Sequence, residues 1–274
     1  NLTITGAKST YIRGDFSLKG LPDWDNTFLE LNFDQIATNK TDLDYLYSNF
    51  VGKRYAKVPD IIAKFGNVNF SGRFTGLQND FVAYGTFKTK LGRFDTDVNL
   101  KINKAGVPAY SGKLDTYAFD LGELLDEGDL GRVTMNANVK GSGDELKNLN
   151  ENVNAKISEL AFKGYNYRNL SFNGEFAKKI ASGKISINDK KIHLDGNGRV
   201  DLNPTLPVYS FNGSIANANL HDLKFLKDTI TFTTQNSANF SEDNLNNLTG
   251  EAALQKIRIV DPRNNYVLDS LDVT

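Results

Sequence analysis

The chain has 274 residues, 32 Lys plus Arg against 33 Asp plus Glu, a formal net charge of -1 at pH 7 and no cysteine. That balance lacks the clustered cations that neutralise phosphates, so nucleic acid is excluded as a partner, and the missing thiols exclude disulfides and thiolate metal sites. No apolar run approaches the roughly 20 residues of a membrane-spanning helix, and no contiguous polybasic block is present to hold anionic headgroups.

Taken in order, the chain reads as strand from its first residues, Leu2-Thr3-Ile4-Thr5, followed by Gly14-Asp15-Phe16. A helix is expected over Thr41 to Val51, where Thr41 and Asp44 resemble a capping box and Leu43, Leu46, Tyr47 and Phe50 share one face. Asp60 to Phe65, after Pro59, reads as a turn or two of helix, and Phe119 to Leu125 as a third short helix. The apolar faces of these pieces suit plugging or capping a sheet.

Between and beyond them, alternation at period two marks half-buried strands. Val68, Phe70, Gly72, Phe74 and Gly76 take one side, then Phe81, Ala83, Gly85 and Phe87 after a Gln78-Asn79-Asp80 turn. Phe94, Thr96, Val98, Leu100 and Ile102 continue it, as do Ile192, Leu194, Gly196, Gly198, Val200 and Leu202, then Tyr209, Phe211, Gly213 and Ile215. Further strands are expected at 133–139, 153–157, 160–164, 170–176, 181–187, 229–234, 248–259 and 268–273. Turn chemistry separates them at Asn103-Lys104-Ala105-Gly106, Asn188-Asp189, Asn203-Pro204 and Asp261-Pro262.

A glycine two residues before an apolar residue recurs along the chain, as in Gly72-Phe74, Gly85-Phe87, Gly174-Phe176 and Gly213-Ile215. Residues i and i+2 of a strand share a side, so these glycines lie on the apolar side. Glycine packs nothing in a strand, and its repetition there suggests either sharp bending or room for a guest chain.

Catalytic chemistry is sparse. His193 falls on the wet side of a strand and His221 precedes Asp222 at a strand end, neither with a metal-ligand companion at informative spacing. Asp95 and Asp97 alternate onto the wet side, and Asp126-Glu127-Gly128-Asp129 lacks the calcium-loop spacing. No nucleophile-elbow, phosphate-loop or dinucleotide glycine pattern appears. No enzyme, cofactor or metal is expected.

Phe65-Gly66-Asn67-Val68-Asn69-Phe70-Ser71-Gly72-Arg73-Phe74-Thr75-Gly76 resembles the TamB translocation-and-assembly module family, within the wider AsmA-like group of envelope proteins. The likeness continues through 79–89 and Leu91-Gly92, Ala109-Tyr110-Ser111-Gly112-Lys113-Leu114, the Gly164–Asn169 hairpin and Ala216–Leu223. This resemblance implies an elongated sheet curled into a U-shaped trough, part of a bridge across a Gram-negative periplasm and anchored in the inner membrane by a segment not recognisable here. It implies lipid carriage between membranes in outer-membrane biogenesis, or assistance to barrel-protein assembly with an Omp85-type outer-membrane barrel as partner through regions outside this chain.

The expected fold is therefore mainly all-β: one long curled antiparallel sheet with two or three short helices, a single continuous segment over 1–274, excised from a longer envelope protein. Its apolar groove would shield phospholipid acyl chains along Phe70, Phe74, Phe81, Phe87, Phe94, Val98, Tyr110, Leu114, Phe172, Phe176, Ile185, Leu194, Val200, Phe211 and Ile215. Three alternatives stay open on the residues alone: an ordinary β-sandwich, a membrane β-barrel fragment, and a glycan-binding or adhesive surface module using Trp24 in its Pro22-Asp23-Trp24-Asp25 setting.

Overall fold

The computed structural model describes residues 2–6, 8–50, 58, 60–143, 148–241 and 249–273, with side chains at all of these except 24, 46–50, 240, 241 and 249. Val51, Pro59 and Leu248, and the side chains of Trp24, Leu46, Tyr47 and Phe50, thus lie outside what is described. Sixteen strands form one antiparallel sheet whose spatial order follows the chain order, with β1 and β16 as its two unjoined edges. Neither a two-sheet sandwich nor a closed barrel forms among the described residues.

The chain divides into two compact units, 1–136 and 137–274. Unit 1 contains β1 (Leu2–Gly6), β2 (Thr10–Lys19), β3 (Phe28–Thr38), α1 (Lys40–Phe50), a 3-10 helix (Asp60–Phe65), β4 (Val68–Leu77), β5 (Asp80–Thr89), β6 (Gly92–Ile102), β7 (Pro108–Asp120) and α2 (Leu121–Leu125). Strand β8 (Leu130–Ser142) straddles the boundary. Unit 2 continues with β9 (Asn150–Phe162), β10 (Tyr165–Ala177), β11 (Ile180–Asp189), β12 (Ile192–Asp201), β13 (Val208–Asn219), β14 (Thr231–Ser241), β15 (Thr249–Val260) and β16 (Asn265–Val273).

Short turns make the meander. Lys163 and Gly164 both have positive φ, as do Lys178 and Lys179, which matches the twist of the flanking strands. Asn188 and Asp189, expected as a turn, still pair in the ladder with His193 and Ile192, and the turn is Lys190-Lys191. The Asp189 carboxylate explains the difference: it accepts from Tyr165 Oη at 2.6 Å, Arg168 N at 3.0 Å and Lys191 N at 2.8 Å, which fixes it as a buried strand end. The expected 153–157 and 160–164 strands are one strand, β9, and Gly164 belongs to the turn.

Strict alternation breaks at shared irregularities. Ala118, Asn169, Asn217 and Lys256 have positive φ, and the residue after each is a buried apolar one: Phe119, Leu170, Ala218 and Ile257. Such irregular positions place two outward residues in succession, so the inward step becomes three, as from Tyr167 to Leu170. In β3 the register slips between Phe33 and Ile36, keeping both on the same face as their partners Gly72 and Phe70. That slip hides β3 from a period-two reading.

Asp42 ties α1 to the β1–β2 turn. Its carboxylate, 2% exposed, accepts from Ser9 Oγ at 2.7 Å, Ser9 N at 2.8 Å and Thr10 Oγ1 at 3.2 Å. The helix is capped by Asn39, whose Oδ1 accepts from Asp42 N at 3.0 Å, so the expected Thr41–Asp44 capping box is not the cap. The Ser9 hydroxyl, first among these donors, holds the Asp42 carboxyl below its ordinary value. A lowered folded pKa means the contact contributes stability above the unfolded pKa of about 3.9, and loses it as pH falls through the folded value. Asp42→Asn is therefore expected to lower Tm at pH 7, with the gap to wild type closing below about pH 4 in a pH series of thermal melts.

The apolar-side glycines do not leave empty space. A methyl group added at Gly72 would lie 2.7 Å from Phe70 Cζ, and one at Gly85 2.5 Å from Phe70 Cε2, so one ring lies across two paired glycines. Phe172 covers Gly174 and Gly183 in the same way, and Phe211 covers Gly196 and Gly213. The same methyl groups would also meet the neighbouring strand's backbone, as at Gly72 against the Tyr84 carbonyl, which shows how closely the strands approach on this side. Room for a guest chain at these glycines is thus taken by the protein's own rings, and close strand approach is what the glycines permit. Gly198 differs, since an added methyl would meet only Ser210 O at 3.9 Å. Gly196→Ala is expected to cost about 1–3 kcal/mol by overpacking, and Gly198→Ala to change stability by less than about 1 kcal/mol, both read from urea unfolding.

Candidate functional site

The candidate site is the apolar face of the sheet, built in each unit by register. In unit 1, Phe70 opposes Phe87 and Phe87 opposes Phe94; Phe74 opposes Ala83, and Phe81 opposes Leu100. Thr96 opposes Leu114, Val98 opposes Gly112 and Leu100 opposes Tyr110. All eight expected residues of unit 1 therefore share one face. In unit 2, Phe172 opposes Ile185, Leu194 opposes Ile215, and Gly198 opposes Phe211; Val200 lies opposite Ala181, itself opposite Phe176. The seven expected residues of unit 2 likewise share a face.

Phenylalanine rings cross unit 1 from strand to strand. Centroids are 5.3 Å apart for Phe16–Phe33, 6.0 Å for Phe33–Phe70, 4.6 Å for Phe70–Phe87, 4.7 Å for Phe87–Phe94 and 5.7 Å for Phe94–Phe119. Each such pair contributes about 0.5–1.5 kcal/mol beyond its buried area. Phe65, from the 3-10 helix, sits 6.1 Å from both Phe94 and Phe119 and closes the row. Lys64 fastens that helix to α2, its Nζ donating to the Leu124 carbonyl at 2.7 Å and the Asp126 carboxylate at 2.6 Å. Phe119, expected in the third helix, is instead the buried end of β7, and α2 starts at Leu121 with Asp120 as cap.

In unit 2 six buried apolar residues cluster at one end of the strands, Tyr167, Leu170, Ile187, Ile192, Ala218 and Leu223. Against them lies a pocket of about 590 Å³ whose lining is wholly apolar or aromatic, including Leu160, Phe162, Ile185, Leu194, Ile215 and Phe232. The segment after β13 folds over it, contributing Leu220, fully buried Leu223 and half-exposed Phe225. Beside it, burial and the nearby Asp189 carboxylate push the Tyr167 phenol up to about 12, and burial with the bond to Asp189 raises Tyr165 further. Both phenols stay neutral at physiological pH.

Of the fifteen expected residues, Ile185, Leu194 and Ile215 line this pocket, while Phe172, Phe176, Val200 and Phe211 lie along the rest of the unit 2 face. Every one of the fifteen is half-buried. Sequence reading missed Phe16 and Phe33 of the ring row and most of the pocket, including Leu160, Tyr167, Ile187 and Leu223. The three-residue steps Ile157–Leu160, Tyr167–Leu170 and Ile215–Ala218 were the usable signal.

Polar residues described on the unit 2 face include Glu151, Thr234 and Asn236. Glu151 opposes Phe176, and burial raises its carboxyl above the ordinary value. Asn236 opposes Gly213 and Leu254, and its buried Oδ1 has no hydrogen-bond partner. The other face carries charges in surface pairs, such as Lys101–Asp80 at 2.6 Å and Arg93–Asp95 at 2.8 Å. His193 is exposed there, and His221 Nδ1 lies 3.6 Å from Asp222. Among the described residues, no three His, Asp or Glu side chains converge as metal ligands. Comparison with family models, curated proteins and solved structures gives no match.

Proposed function

We propose that this chain is a lipid-shielding segment of a TamB/AsmA-like bridge in a Gram-negative periplasm, whose apolar sheet face covers phospholipid acyl chains in passage between inner and outer membranes. Its role is non-enzymatic and supports outer-membrane biogenesis and barrel-protein assembly, with an Omp85-type outer-membrane barrel engaged through regions outside this chain. The observation that carries the reading is the state of the fifteen face residues: register aligns them within each unit, yet each is only half-buried.

Magnitudes support an apolar guest. An acyl chain in water costs about 0.8 kcal/mol per methylene, so a chain of roughly sixteen carbons gains on the order of 12 kcal/mol from full cover. Partly exposed apolar side chains gathered on one face mark a site for a ligand, partner or membrane.

Native mass spectrometry of the protein purified without detergent is expected to show bound phospholipid. Phe74→Asp and Phe176→Asp are each expected to reduce the retained lipid severalfold, since a carboxylate on this face must stay hydrated, while far-UV circular dichroism remains that of wild type. Retention unchanged with both charges installed would refute the reading.

A further inference from the structure

An open face that shields passing chains needs no bounded pocket, yet unit 2 has one. Its pocket is floored by Leu170, Ile187 and Ala218 and roofed by Leu223, all buried, whereas Phe225 is 49% exposed and marks the mouth. No polar side chain lines it apart from the neutral Tyr167 phenol. We propose that this pocket is a discrete site for one acyl tail of an amphiphile with an anionic head. The proposal rests on the lipid-shielding reading above and narrows it to one place and one ligand charge.

The head's charge follows from the turns around the pocket. Lys163 follows the lining Phe162, its Nζ 6.0 Å from that ring's centroid, and Lys190 and Lys191 precede the lining Ile192. Lys224 stands between Leu223 and Phe225, and Lys227 follows two residues after Phe225. The acids on these same turns are fewer and largely committed. Asp189 is buried with three donors, and Asp222 pairs with Lys191 Nζ at 2.6 Å, leaving Asp228. Lys190, Lys224 and Lys227 are exposed. These cations come from separate turns, so no basic block appears in the sequence. An apolar slot whose neighbouring turns carry exposed lysines, Lys191 being paired with Asp222, matches an alkyl tail ending in a carboxylate or phosphate.

Titration calorimetry on the full chain with saturated fatty acids of increasing length tests this. Affinity is expected to rise about tenfold per two added methylenes and then level off once the pocket is filled, with one site per chain. Leu194→Trp and Ile215→Trp, which fill the pocket, should each lower palmitate affinity at least tenfold. The double variant Lys224→Glu/Lys227→Glu should weaken palmitate severalfold and leave 1-hexadecanol unchanged. Parallel titrations with palmitate and a palmitoyl lysophosphatidylglycerol separate the free acid from the phospholipid as the source of the shared chemistry, the tighter binder being the one the site fits. Affinity that climbs with chain length without a plateau overturns the pocket, as does palmitate binding untouched by both tryptophans in variants of wild-type circular dichroism. If phospholipid still co-purifies in either case, the open-face reading survives; if neither phospholipid nor palmitate binds, both fall.

Discussion

One constraint organises the molecule: each unit has a single layer of strands with an apolar side and no second sheet to cover it. A β-sandwich meets the same demand by closing two oily faces on each other at crystal-like density. Here the sheet remains one layer, and partial cover comes from within. Rings lie flat over paired glycines, neighbouring rings touch across strands, and short non-strand segments are laid over one end. Phe70 above Gly72 and Gly85 states the principle at its smallest scale, because one side chain fills the room two residues leave empty.

Cover is unevenly distributed along the strands. In unit 1 the buried apolar residues include Leu91 and Phe119, at the end where Phe65 and α2 close over the sheet. In unit 2 they include Tyr167, Ile187, Ile192 and Ala218, at the end roofed by Leu220 and Leu223. Away from that end burial becomes partial, and there Phe74, Phe81, Phe172 and Phe211 sit. The well-packed end supplies the cooperative core that a lone half-covered sheet lacks. The rest of the face is released from that duty and stays accessible.

Much of this was legible in the sequence because period two is a direct projection of a pleated strand. Val68 to Gly76 and Phe81 to Phe87 could be assigned to a face, and the observed register keeps them there. The sequence was silent where geometry departs from that projection. Strand β3 was lost because Asp34 and Gln35 interrupt the alternation between Phe33 and Ile36. Asn188-Asp189 looked like a turn because Asp favours turns, but the Tyr165 hydroxyl and Arg168 amide that retain it are more than twenty residues away. The pocket roof, 220–226, has no period at all, and its role depends on where β13 delivers it. Glycines were read correctly as belonging to the apolar side but not as seats for rings, since that requires knowing that residue i and its cross-strand neighbour present their gaps to the same Phe.

The two apolar features differ in what they can do to a bound chain. Burial of methylenes is non-directional and proportional to area, so a tail lying along a row of half-buried Phe and Leu side chains loses little when it shifts by one carbon. That suits passage. A bounded pocket behaves otherwise, because withdrawing the tail by one methylene exposes it without new cover and leaves apolar walls without contacts. That suits retention. Basic turns at the mouth reinforce the contrast, since a head charge held there fixes the register that the open face leaves free. On the proposed reading, unit 2 therefore combines a surface over which chains slide with a position at which one chain rests, and the Glu151 carboxyl and the unpartnered Asn236 amide mark where that sliding surface is least apolar.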